Sequence, residues 1–121
     1  MSFPSIVVKA TNIELTPGLS ALIDQKFMAL DKLIPAHETD VRCKVEIEKL
    51  TEHQSGKIYR IEANLFVGGK PFRAEATEEQ MEKAIDEVRD ELKRELERAQ
   101  GRRKSLLRRG GQALKDMLRF G

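Results

Sequence analysis

Apolar and polar residues alternate in three successive stretches of the chain, which predicts three β-strands. The pattern runs through DVRCKVEIEKL (residues 40–50), KIYRIEANLFV (57–67) and FRAEA (72–76). A period of two residues places one face of each strand against a core and the other face in water. The short connections TEHQSG and GGKP are typical of hairpins, and the glycines of GGKP allow positive φ angles. The three strands are therefore predicted to form an antiparallel meander.

Two other stretches have the period of an amphipathic α-helix. The first starts after Thr16, a predicted N-cap followed by Pro17, and is expected to end at Pro35. The second is predicted to start after Thr77 and to bury one stripe from Met81 to Ala99, with an i,i+4 pair between Asp90 and Arg94. Gly101 is expected to weaken this helix, because glycine has a low helix propensity.

A strand over about Ser5–Ala10 precedes the first helix, so the predicted order is β-α-β-β-β-α. Each helix has one apolar stripe and the sheet has one apolar face, so both helices should cover the same face of a four-stranded α+β sheet. The predicted core comprises Val7, Leu22, Phe27, Leu30, Val45, Ile61, Leu65, Phe72, Ile85, Val88 and Leu92.

Length and composition predict one domain over residues 1–104, followed by a basic tail over residues 105–121. No run is long and apolar enough to span a membrane, and the first residues do not resemble a secretory signal. The single cysteine, Cys43, cannot form an internal disulfide. A reducing cytoplasm is therefore the expected compartment.

The net charge of +2 conceals a strong asymmetry along the chain. Residues 75–97 carry ten acids and four bases, whereas residues 98–121 carry eight bases and one acid. The dipole of a helix favours two or three bases at its C-terminal end, which leaves most of these bases unexplained. A concentrated basic segment is typical of contact with phosphates or with another anionic surface.

The candidate phosphate-binding residues lie on both predicted helices. A spacing of four residues places Arg94, Arg98 and Arg102 along one side of the second helix, and Arg103 and Lys104 continue it. Lys26 and Lys32 lie off the apolar stripe of the first helix, where a solvated helix face is an equally good interpretation. Arginine suits phosphate because its planar guanidinium donates two parallel hydrogen bonds.

The sequence contains no convincing catalytic constellation. His37 and His53 have no second ligand at metal-binding spacing, and Cys43 falls on the inward face of a strand. VGGKP joins two strands and does not lead into a helix, which argues against a phosphate loop. We therefore predict a binding protein that is not an enzyme and needs no cofactor.

IELTPGLSALIDQKFMALDKL, the meander ending in VGGKPFRAEA, and MEKAIDEVRDELKREL together resemble the ribosome hibernation-promoting factor and ribosome-associated inhibitor family, also called sigma-54 modulation proteins, in its short form. The resemblance covers roughly residues 5–104. It implies a fold similar to double-stranded-RNA-binding domains, which recognise shape and phosphate. It also implies binding to the small ribosomal subunit and its 16S-type rRNA, in the region used by mRNA and tRNA. Translation would then be blocked by occupancy during stress.

Position by position, the resemblance assigns RNA contacts to Lys26 on the first helix and to Arg94, Arg98, Arg102 and Lys104 on the second. This chain departs from the family pattern at four positions, which are Gln80, Glu91, Glu95 and Ala29.

Two alternatives remain open at the level of sequence. The chain could be a general double-stranded-RNA-binding module, or a protein-interaction domain whose basic tail meets an acidic partner. Residues 101–121 are expected to be mobile in the free protein and to become ordered on RNA. An alternative is that their apolar residues dock on the domain or mediate self-association.

Overall fold

The computed structural model of the protein describes residues 3–51 and 56–108; for residues 103–108 it describes only the backbone. The elements are β1 (Ile6–Thr11), α1 (Pro17–Met28), β2 (Val41–Lys49), β3 (Tyr59–Val67), β4 (Lys70–Glu78) and α2 (Met81–Arg108). A single 3₁₀ turn, Asp31–Leu33, follows α1. The predicted α+β class and element order are confirmed.

The four strands form one sheet in the order β1-β2-β3-β4. β2, β3 and β4 are the predicted antiparallel meander, whereas β1 pairs with β2 in parallel. A parallel pair needs a long crossover, and α1 supplies it. Gly68 and Gly69 have φ angles of 58° and 83° in the β3–β4 turn, as a two-residue hairpin turn of this kind requires.

The core lies between one face of the sheet and the two helices. Nine of the eleven predicted core residues are buried: Phe27, Leu30, Val45, Ile61, Leu65, Phe72, Ile85, Val88 and Leu92. Leu22 is half-buried at its edge. Val7 was predicted wrongly, because its side chain is 63% exposed. In β1 it is Ile6, Val8 and Ala10 that pack on the core.

α1 begins as predicted, since the Thr16 hydroxyl accepts a hydrogen bond of 3.1 Å from the Leu19 amide. It does not continue to Pro35. The helix ends at Met28, and the Leu33 amide then donates to the Leu30 carbonyl at 3.0 Å within the 3₁₀ turn. Such turns tighten the end of a helix and redirect the chain.

The start and the end of α2 both differ from the prediction. Thr77 is not its cap, because β4 extends to Glu78 and Thr77 pairs with Arg60 across the sheet. At the other end, the helix continues through Gly101 to Arg108. Arg, Lys and Leu residues with high helix propensity follow this glycine and offset its cost of ~1 kcal/mol. The predicted boundary after Lys104 falls inside this helix.

Within the described residues, no helix is both long and apolar enough to cross a membrane.

Candidate nucleic-acid interface

The three arginines of the second helix form an exposed ridge, which we call the arginine ridge: Arg94, Arg98 and Arg102. The side chains of Arg94 and Arg98 are 56% and 59% exposed, and Arg102 is exposed in the next turn. The ridge lies beside the apolar stripe that ends with Leu96 and Ala99. Burial of that stripe therefore fixes the direction in which the ridge points.

Acidic residues one turn earlier hold two of these arginines. The Arg94 guanidinium donates to Glu91 at 2.6 Å, and Arg98 donates to Glu95. Hydrogen bonding from Arg94 lowers the pKa of Glu91 and raises the pKa of Arg94. Exposed pairs of this type contribute little to stability. A phosphate that approaches the arginine ridge can therefore replace a carboxylate at small cost.

The predicted pair between Asp90 and Arg94 does not form a direct contact, although the charge of Asp90 contributes to raising the pKa of Arg94. Asp90 instead accepts hydrogen bonds from Arg89 at 2.9 and 3.0 Å, which leaves Arg94 to Glu91. Positions i and i+3 are also neighbours on a helix, so two adjacent acids compete for one arginine.

Lys26 lies where α1 meets α2. Its ammonium nitrogen is 2.9 Å from Asp86 Oδ1 and 3.4 Å from Glu82 Oε1, and its side chain is 22% exposed. The close contact with the Asp86 carboxylate is the main reason that the pKa of Lys26 is raised. Lys26 therefore links the two helices near the start of α2, away from the arginine ridge.

Lys32 lies far from Lys26, at the end of the molecule where the 3₁₀ turn meets the C-terminal part of α2. It is exposed within the 3₁₀ turn, and the neighbouring Leu33 carbonyl accepts a hydrogen bond of 2.9 Å from the Gln100 side chain. This bond holds the turn against α2 one residue before Gly101. The fold thus brings Lys32 to the end of the molecule that carries Arg102, although the two are far apart in sequence.

Arg103 and Lys104 continue the helical backbone beyond Arg102, and their side chains lie outside the described residues. We call residues 94–104 the basic end of α2.

Comparison with known families matches residues 6–104 to the family described as sigma 54 modulation protein / S30EA ribosomal protein. The chain belongs to this family. The resemblance noted from the sequence is thereby confirmed, and the family is one of ribosome-associated proteins rather than of known enzymes.

Solved structures confirm the fold of this family member. The N-terminal domain of Thermus thermophilus Protein Y is similar with a TM-score of 0.65 and 21% identity, over 81% of this chain and 98% of that one. A ribosomal subunit interface protein from Coxiella burnetii gives a TM-score of 0.58 and 20% identity, over 79% and 97% of the two chains. A comparison with curated protein sequences finds no significant match.

The outer face of the sheet in this family member is a charged network that the sequence analysis did not identify. Arg60, in the central strand β3, lies 3.0 Å from Glu75, 3.3 Å from Glu46 and 3.5 Å from Glu48, and it also pairs with Glu62. Alternation predicted that these side chains point outward. Only the register of the strands shows that four carboxylates surround one guanidinium.

The cysteine and the one described histidine, whose side chains could serve catalysis or metal binding, lie in ordinary structural positions. Cys43 is buried, and desolvation raises the pKa of its thiol to about 12, which fits a small hydrophobic side chain. His37 is exposed with Nε2 3.4 Å from Glu38, and His53 lies outside the described residues. The described residues include no group of three or more His, Cys, Asp or Glu placed to hold a metal ion.

Proposed function

We propose that this protein binds rRNA of the small ribosomal subunit through the basic end of α2 and Lys32. It would occupy the region that mRNA and tRNA use and would block translation sterically, without a chemical step. The observation that carries the proposal is an exposed arginine ridge on a member of a ribosome-associated family. Such activity belongs in the cytoplasm, where ribosomes work.

A comparison of the two faces of the molecule favours the helical face as the one that contacts RNA. On the outer sheet face, Arg60 and Arg73 are both tied to Glu62 and Glu75 within the network. On the helical face, the partners of Arg94 and Arg98 among the described residues are half-buried acids of the preceding turn, and Arg102 lies in the part of α2 that follows its last acid, Glu97. Phosphate binding needs cations that can be released from their partners at low cost.

Lys26 contributes to this proposal in a different way. Its ammonium is already paired with Glu82 and Asp86, so we propose that it orients α2 against α1 and contributes less phosphate contact than Lys32.

The proposal is tested by sedimentation of the protein with small subunits through sucrose gradients. The variant carries R94Q, R98Q and R102Q; the matched control carries K9Q, K44Q and K49Q, which removes the same charge from exposed positions of β1 and β2. We expect the ridge variant to lose binding and the control to retain it. The affinity of the natural chain should fall with salt, because each neutralised phosphate releases counterions.

Three outcomes would contradict the proposal. Equal loss in both variants would mean that only net charge matters. Binding to free duplex RNA as tight as to small subunits would favour a general double-stranded-RNA module. Partner binding that survives ribonuclease and does not require the subunit would favour a protein-interaction domain.

A further inference from the structure

An apolar groove of about 390 Å³ opens at the end of the molecule where α2 passes the 3₁₀ turn and the β3–β4 hairpin. Its apolar lining consists of Leu33, Pro35, Val67, Phe72, Leu96 and Ala99. The hydrogen bond from Gln100 to the Leu33 carbonyl joins two of its walls. The groove is therefore a built feature of the fold, and none of the described segments fills it.

The lining favours aliphatic side chains over a nucleobase. Apart from Phe72, which is only 8% exposed, the apolar residues of the groove present no aromatic face on which a base could stack. The charged residues that line the groove are one acid, Glu38, and two bases, Lys70 and Arg102. A short amphipathic segment with mixed charges matches this pattern.

The chain itself carries such a segment. In QALKDMLRF, residues 112–120, Leu114, Met117 and Leu118 recur at the i, i+3, i+4 spacing of one helix face, while Lys115, Asp116 and Arg119 supply charges of both signs. Gly110 lies two residues after Arg108, the last residue of α2 that the structure describes, and glycine at such a position commonly allows a helix to end and the chain to turn back.

The distance is also suitable. Ala99 and Arg108 are nine residues apart in α2, which corresponds to roughly 14 Å along the helix axis. Residues 112–120 span about the same length even at the helical rise, and more if they are extended.

We propose that residues 112–120 fold back along α2 and place Leu114, Met117 and Leu118 in this groove. Because Arg102 is one of the residues that line the groove, the docked segment would contact it. The docking itself does not depend on the proposed RNA binding.

Disulfide trapping in the full chain tests the proposal. One variant carries A99C with L118C; the matched control carries E97C with L118C, because Glu97 is exposed on the other side of α2 at the same level. We expect the first pair to form an intramolecular disulfide about tenfold faster, since docking raises the effective concentration of one thiol at the other. Cys43 is buried and reacts only if the chain unfolds, so bonds to Cys43 would report misfolding.

A second measurement covers the case in which the geometry of the disulfide is poor. Labelling of A99C by a thiol reagent should become faster when L114S, M117S and L118S are added, and K115S with R119S should have less effect. Protection of the thiol introduced by A99C would support docking of the natural segment even without a disulfide. Equal trapping rates together with unchanged labelling would overturn the proposal. Disulfide-linked dimers in place of monomers would overturn it too, by assigning the groove to a second copy.

Discussion

The outer face of the sheet and the basic end of α2 carry the same types of charged residue but hold them differently. On the sheet, Arg60 is surrounded by carboxylates from three strands, and its side chain is only 20% exposed. On the helix, Arg94 and Arg98 each have one acidic partner from the preceding turn and remain more than half exposed. The proposed phosphate binding therefore depends less on the number of basic residues on a surface than on the ease with which phosphate can replace their acidic partners.

This difference also explains why two basic positions of α1 and its following turn have different proposed roles. Lys26 has two carboxylates of α2 within reach, whereas Lys32 lies in the 3₁₀ turn near Arg102. A lysine whose ammonium already pairs with carboxylates of a second helix gains less binding free energy from a phosphate than a lysine that is exposed to water.

The largest expected difference between the two surfaces is in stability. Replacement of Arg60 by Met should lower the free energy of unfolding by roughly 2 kcal/mol, because several carboxylates lose their common hydrogen-bond donor. Replacement of Arg98 by Met should change it by less than ~0.5 kcal/mol, as for most exposed positions. Urea denaturation of both variants measures the difference. Similar losses in the two would show that the sheet network contributes no more than an ordinary surface pair.

The second-largest expected effect is a loss of stability of the sheet network in acid. Hydrogen bonds from Arg73, Asn64 and Arg60 lower the pKa of Glu62 to about 2, against an ordinary value of 4.5. Because the pKa is lower in the folded state, this contribution is present above about pH 4.5 and is lost as the pH falls toward 2. Unfolding free energies measured across that window should fall less steeply for E62Q than for the natural chain. Parallel curves would contradict the assigned role of Glu62.

The sequence was sufficient for most of the fold but for less of the site. The residues of β2, β3 and β4 that face the core could be predicted because apolar and polar residues alternate strictly in each strand. In β1, Ile6, Val7 and Val8 are all β-branched and apolar, so the sequence does not show which of them face the core. Thr77 was mistaken for a cap because acids follow it, although strand pairing extends β4 to Glu78. The arginine ridge follows from spacing within one helix. The partners of Lys26 and the position of Lys32 beside α2 depend on contacts between distant segments, which no local pattern indicates.

A smaller effect should separate Lys26 from Lys32. A double-mutant cycle with K26M and D86A should reveal coupling in stability, because the two side chains form a 2.9 Å ion pair. The same cycle should show no coupling in affinity for small subunits. K32Q, by contrast, should weaken the affinity and leave the denaturation midpoint unchanged. If K26M reduced binding as strongly as K32Q at equal stability, Lys26 would be a direct contact after all.

The smallest expected effect lies within the arginine ridge itself. Glu91 and Glu95 compete with phosphate for Arg94 and Arg98, so E91Q and E95Q should each strengthen rRNA binding about two-fold, the size expected from loss of one exposed i,i+3 pair. The matched control is E97Q, which removes the same charge from a residue that forms no ion pair with the described residues. Filter binding to small subunits at moderate salt can resolve such a change if all three variants are measured together. A gain for E91Q and E95Q that exceeds the gain for E97Q would show that release of the arginines matters beyond net charge. An equal gain in all three would reduce the effect to long-range electrostatics and would remove the distinction between paired and unpaired bases on this helix.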